Sequence, residues 1–154
     1  MDILNELKAV TGALAQERID YALCGGLAMA IYGLPRATLD VDLLIPFDAL
    51  FSAKRALEPL GYTLSGAPMA FHNDAIQIYR LVKITPSTEE EMVLDLLLVT
   101  PAITPAWESR RNITWDGQMI KVVSVAGMML LKSFRRSGKD LDDIEHLRSL
   151  GDET

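Results

Sequence analysis

The stretch Thr38-Leu39-Asp40-Val41-Asp42-Leu43-Leu44-Ile45 decides the fold, because it reads as a core strand interrupted by two acids. Period-two alternation puts Asp40 and Asp42 on one face, with Leu39, Val41 and Leu43 on the other. Carboxylates side by side repel each other, and an uncompensated ionised acid inside a low-dielectric sheet is very costly. The pair therefore calls for a cation. A hard divalent ion is the natural candidate, since Mg²⁺ takes oxygen ligands and commonly uses one or two carboxylates plus substrate phosphates. An edge strand whose acids face water would carry the same pattern, so the pair alone does not decide.

A second strand repeats the anomaly. In Met92-Val93-Leu94-Asp95-Leu96-Leu97-Leu98-Val99, Asp95 is the sole charge among seven apolar residues. If the two strands are neighbours, three carboxylates converge at one end of the sheet. That is the geometry for two cations about 3.5–4 Å apart that clamp an attacking and a leaving oxygen, the chemistry of phosphoryl or nucleotidyl transfer. Upstream, YALCGG (21–26) is a short apolar run ended by two glycines, read as a buried strand breaking into a turn. Without side chains, Gly25 and Gly26 let backbone N–H groups approach a phosphate. An ordinary tight turn would use the same glycines.

Outward from this centre the chain reads as an α+β protein: a small mixed, mostly antiparallel sheet flanked by helices. Ile3, Leu4, Leu7, Val10 and Leu14 recur at helical spacing, and a short helix LAMAIYG closes at Gly33. Residues 47–60 predict an amphipathic helix with Phe47, Leu50, Phe51, Ala53, Leu57 and Leu60 on its apolar side, stopping at Gly61 and followed by a short strand, YTL. AIQIYRLV and MVLDLLLV predict adjacent antiparallel strands, with Glu89, Glu90 and Glu91 in the exposed loop between them. NITW-DG-QMIKVV predicts a hairpin, because Asp116-Gly117 suits the positive φ values of a type I′ turn. Ser124 then caps a helix, VAGMMLLKSFRR, and a last helix, LDDIEHLRSL, follows Ser137-Gly138. With 154 residues and no dividing linker, one domain is expected, the segment 124–150 being its short helical end.

Composition narrows the function classes. Apolar residues make up 49% of the chain, and the formal net charge is −6, so its field repels bulk nucleic acid and anionic membrane. No apolar run approaches the length that spans a bilayer, and no signal peptide is evident, so a cytoplasmic protein is expected. The one cysteine, Cys24, cannot form an intramolecular disulfide, and without a local histidine it reads as a small buried residue rather than a nucleophile. His72 and His146 are too few for a zinc site and read as surface residues, while Met128 and Met129 read as core filling.

The order strand, Gly-Gly, short helix, Arg-x-Thr, Asp-x-Asp, written GGLAMAIYGLPRATLDVDLLI and followed by Asp95 on a later strand, resembles the DNA polymerase beta-type nucleotidyltransferase superfamily. Its small bacterial and archaeal members, including the AbiEii-like and MNT-type proteins of abortive-infection and toxin–antitoxin systems, are the most similar. The likeness runs over residues 21–99 and, more loosely, over VAGMMLLKSFRRSGKDLDDIEHL. It implies that Asp40, Asp42 and Asp95 form a catalytic, metal-binding set for Mg²⁺ or Mn²⁺, Asp95 also helping to activate an acceptor hydroxyl. It further implies that Gly25 and Gly26 hold the β- and γ-phosphates of an NTP and that Lys132 neutralises the triphosphate. Asp140 or Asp143 would position Lys132 or the base.

Arg36 and Thr38, just ahead of the acids, join the nucleotide-binding candidates; Arg36 would reach a phosphate or pair with Asp40. Arg135, Arg136 and Lys139 supply further charge, or else form a solvated helix end that complements its dipole. The acceptor is a protein, an RNA or a small-molecule hydroxyl, and the chain's short end points to a partner protein or a homo-oligomer for holding it. A catalytically silent protein of the same fold that grips a partner is the alternative from another class.

Overall fold

Two short β-strands and two long ones hold the middle of the sheet, and their register fixes where the acids lie. The computed structural model describes residues 2–34, 40–134, 144–145 and 147–150. Helix α1 (Ile3–Gln16) is capped by Asp2, whose side chain accepts from Leu4 N, and leads into β1 (Ala22–Cys24). Helix α2 (Gly25–Ile31) follows without a gap, then β2 (Asp40–Ile45) and α3 (Leu50–Leu57). Strands β3 (Thr63–Leu64), β4 (Met69–Phe71), β5 (Ile76–Thr85) and β6 (Glu90–Leu98) come next. Helix α4 (Thr104–Glu108), the hairpin β7 (Arg111–Trp115) and β8 (Gln118–Val122), and α5 (Val125–Ser133) complete the order.

Among the described residues the strands form one eight-stranded sheet in the order β3-β5-β6-β2-β1-β8-β7, with β4 also paired to β5. Antiparallel pairings predominate, and β2–β6 and β1–β8 are parallel. The sheet is thus mixed with helices against it, as expected, though wider than small. In β2 the inward parity is Val41, Leu43 and Ile45, all at most 1% exposed, while the opposite face carries Asp40 and Asp42 half-buried and then fully buried Leu44. The acids thus occupy the open end of a face whose other end is closed. Helix α1 covers the Val41 face: Glu6 accepts from Lys83 Nζ at 2.9 Å and from the Tyr62 hydroxyl at 2.8 Å, and Leu7, Val10 and Leu14 enter the core.

Several expectations hold in detail. Asp116 (φ 51°) and Gly117 (φ 74°) turn the β7–β8 hairpin, and the Ser124 side chain accepts from Gly127 N to start α5. Cys24 is buried, His72 is exposed, and Met128 fills the core with Met129 packed against it. Three readings are corrected. Phe47 and Phe51 are 56% and 68% exposed rather than on a buried face, because the segment breaks into a 3-10 turn (Phe47–Ala49), then α3, then a second 3-10 turn (Glu58–Leu60); Ala53 and Leu57 are buried and Leu50 and Leu60 pack part-buried against the core, as expected. Glu90 and Glu91 belong to β6, because the turn is tighter than the acidic run suggested and Thr85 pairs directly with Glu90. Strand β4 and helix α4, unforeseen in the sequence, are three and five residues long, too short to show periodicity. Residues 144–145 and 147–150 are helical within the expected final helix.

Candidate active site

One row of residues crosses four strands at the open end of the sheet. Cys24 of β1 is in register with Asp42 of β2, Asp42 with Asp95 of β6, and Asp95 with Arg80 of β5. Register partners on adjacent strands share a face about 4.8 Å apart, so Asp42 and Asp95 are held side by side. Asp40 stands two residues before Asp42 on the same face. Backbone hydrogen bonding therefore does the positioning, and no loop is involved.

Gly25 makes room for the pair. It adopts φ +70°, a region that side-chain-bearing residues rarely enter, and a Cβ built on it would fall within the Asp42 carboxylate. The backbone turn out of β1 consequently lies directly against that acid. Behind it, burial first, and then the Asp42 and Asp95 charges, push the Cys24 thiol well up, while Lys132 acts in the opposite direction. Burial holds the thiol in its protonated form, and Lys132, in the last turn of α5, lies within electrostatic reach of it.

Asp95 is 6% exposed, and its charge is met by a residue that the sequence reading did not single out. Arg80 donates from Nε to Oδ1 at 2.9 Å and from Nη2 to Oδ2 at 3.0 Å, a two-pronged ion pair. Its guanidinium is held further toward the charged form by Asp95 above all, against partial burial, with the Asp40 and Asp42 charges adding. Arg80 is thus within electrostatic reach of all three acids. The signal existed: Arg80 is the lone charge in AIQIYRLV, the same anomaly that marks Asp95 one strand away.

Asp40, Asp42, Asp95 and Gly25 are accordingly neighbours, with Gly26 next in the chain and Lys132 within electrostatic reach of Cys24 in the same row. Arg36, Thr38, Arg135, Arg136, Lys139, Asp140 and Asp143 lie outside the described residues. Asp40 and Asp42 supply a donor set suited to a hard divalent ion, two carboxylates on one face of one strand. Asp95 has both oxygens engaged by Arg80, and among the described residues no three His, Cys, Asp or Glu side chains are gathered as a metal site. A cavity of about 470 Å³ lies elsewhere, at the far end of β1, lined among others by Thr11, Asp20, Asn112 and Lys121. It does not touch the carboxylate row.

No family model matches the chain, and no curated protein matches it in sequence. Solved structures do. The lincosamide antibiotic adenylyltransferase LnuA, in its lincomycin-bound form, superposes with a TM-score of 0.67 at 18% identity, over 95% of this chain and 96% of that one. The antibiotic-resistance factor ANT(2'')-Ia gives 0.69 at 14% identity, over 99% and 88%. An antigenic nucleotidyltransferase-like protein from Paracoccidioides brasiliensis gives 0.56 at 23% identity, over 94% and 75%. What the chain shares with all three is an architecture, the mixed sheet and flanking helices of the nucleotidyltransferase fold.

Proposed function

We propose that this protein moves a nucleoside monophosphate from an NTP to a hydroxyl of a small molecule, with a divalent ion held by Asp40 and Asp42. The observation that carries this reading is the register of β2 against β6, which sets Asp42 beside Asp95 directly in front of the Gly25 turn. A small-molecule acceptor is favoured over protein or RNA because the two antibiotic-modifying neighbours are matched nearly end to end. The negative overall charge also disfavours a nucleic-acid acceptor.

Bound Mg²⁺ or Mn²⁺ would supply charge neutralisation at the α-phosphate. The chain's own groups do the rest. The backbone at Gly25 and Gly26, free of side chains, admits the phosphates, and Lys132 brings positive charge to the same corner. The acceptor oxygen forms a bond to the α-phosphorus, the bond to pyrophosphate breaks, and the hydroxyl proton passes to the Asp95 carboxylate, whose oxygens keep lone pairs beyond the two that Arg80 engages. Holding acceptor and α-phosphate in line is the larger part of such catalysis.

The test is incubation with each NTP, Mg²⁺ and a panel of hydroxyl-bearing small molecules that includes lincosamides and aminoglycosides, with pyrophosphate as the readout. Melting curves with and without Mg·NTP accompany it, since a ligand bound to the native state raises the melting temperature. Acceptor-dependent pyrophosphate is expected. Absence of both pyrophosphate and a melting shift with every nucleotide overturns the proposal.

A further inference from the structure

We infer that Arg80 takes the place of a second divalent ion: by holding Asp95, it keeps that carboxylate out of the metal-ligand set, so the site binds one ion, through Asp40 and Asp42. This rests on the nucleotidyltransferase reading and departs from the two-ion arrangement that three converging acids suggest.

Three observations support it. Both Asp95 oxygens are engaged at 2.9 and 3.0 Å by one planar guanidinium, a geometry that fixes direction as well as distance. A divalent ion would have to approach an Asp95 oxygen to about 2.0–2.1 Å, hard against a permanent positive charge that cannot be titrated away. The sheet itself enforces the pairing, because Arg80 and Asp95 are register partners in the middle of the β5–β6 ladder, where neither strand can slide without flipping every side chain to the other face.

The arginine is also placed to act on substrate. Its side chain is 40% exposed while that of Asp95 is 9% exposed, so the pair presents its cationic partner outward on the face that carries Asp40 and Asp42. With two donors spent on Asp95, the guanidinium keeps others for a phosphate oxygen. Asp95 is then a positioning residue for Arg80 as much as a partner of the acceptor hydroxyl.

Equilibrium dialysis with Mn²⁺ and the α,β-methylene analogue of ATP, which cannot be cleaved between its α- and β-phosphates, counts ions per bound nucleotide without requiring turnover. One Mn²⁺ per nucleotide is expected for the unmodified chain, and one again for Asp95→Asn, whereas Asp42→Asn loses it. Arg80→Gln, confirmed as folded by circular dichroism, should rise toward two ions as Asp95 becomes available. Two ions in the unmodified chain overturn the inference and leave the nucleotidyltransferase reading standing, as does loss of the ion in Asp95→Asn. A folded Arg80→Gln that stays at one ion also overturns it. Neither nucleotide nor Mn²⁺ bound by the unmodified chain overturns both. The first two counts do not depend on whether Arg80→Gln folds.

Discussion

Strand β1 has a charge cluster at each end, and the two are balanced in opposite ways. Before the strand, Asp20 accepts from Lys121 Nζ at 2.6 Å, from Arg110 Nη2 at 2.6 Å and from Tyr21 N at 2.9 Å. One acid has two cations there, and Arg110 is also stacked 3.8 Å over Trp107. Past the other end, three acids share the field of Arg80, with Lys132 close by. The first cluster is complete and ties the β7–β8 hairpin to the chain before β1. The second gathers three acids around one arginine, with a lysine in the same field, and makes sense as a receptor for a divalent cation. The gathering of acids, rather than the presence of an ion pair, separates a site from a brace.

The largest expected effect breaks the comparison at the three-acid end. Asp42→Asn should lower nucleotide-dependent pyrophosphate release about a thousandfold, since a metal-held oxygen accounts for several kcal/mol of transition-state stabilisation. Its melting temperature should be unchanged or higher, because one of two repelling carboxylates is gone without a core cavity. Full turnover in that variant would remove the chemistry from this row. Next, Arg80→Ala should destabilise the fold by about 2 kcal/mol in urea titrations, below the 3–5 kcal/mol of a fully buried broken pair because Arg80 is part-exposed. The double change Arg80→Met with Asp95→Leu should regain most of that stability while remaining inactive.

Gly25→Ala sharpens the comparison from the backbone side. A positive φ costs a residue with a side chain about 1–2 kcal/mol, and the new methyl also displaces the Asp42 carboxylate, so stability and turnover should fall together. The smallest effect belongs to the complete cluster: Asp20→Asn should cost about 1 kcal/mol or less and leave pyrophosphate release intact. Burial raises the Asp20 carboxyl, but Lys121, the Tyr21 N–H and Arg110 outweigh it and hold the group below its usual range. Its contribution is therefore complete above the ordinary aspartate pKa of 3.8 and fades as pH falls through the lowered native value. Thermal melts from pH 6 downward should show Asp20→Asn converging on the unmodified chain.

Sequence reading reached the strands that carry the acids because Asp40, Asp42 and Asp95 each violate an apolar pattern, and violations of that kind are local. It reached the hairpin at Asp116-Gly117 and the cap at Ser124 for the same reason. It made AIQIYRLV and MVLDLLLV neighbours but did not reach the Arg80–Asp95 pairing, because the register between them is a property of the assembled sheet. Nor did it foresee the exposure of Phe47 and Phe51, since a helical period continues unbroken through residues that the chain folds as 3-10 turns.

The pairing of β1 with β8 is the narrowest link in the sheet. Leu23 lies opposite Val122, and Val123 N donates to Leu23 O at 3.0 Å, between strands of three and five residues. Helix α5 starts directly beyond that link and bears Lys132. Backbone amides of β8 should thus exchange with deuterium sooner than those of β2 and β6. Beyond it, α5 is held by its own buried side chains Val125, Met128 and Leu131, so the lysine's helix stays seated in the core when the short link opens.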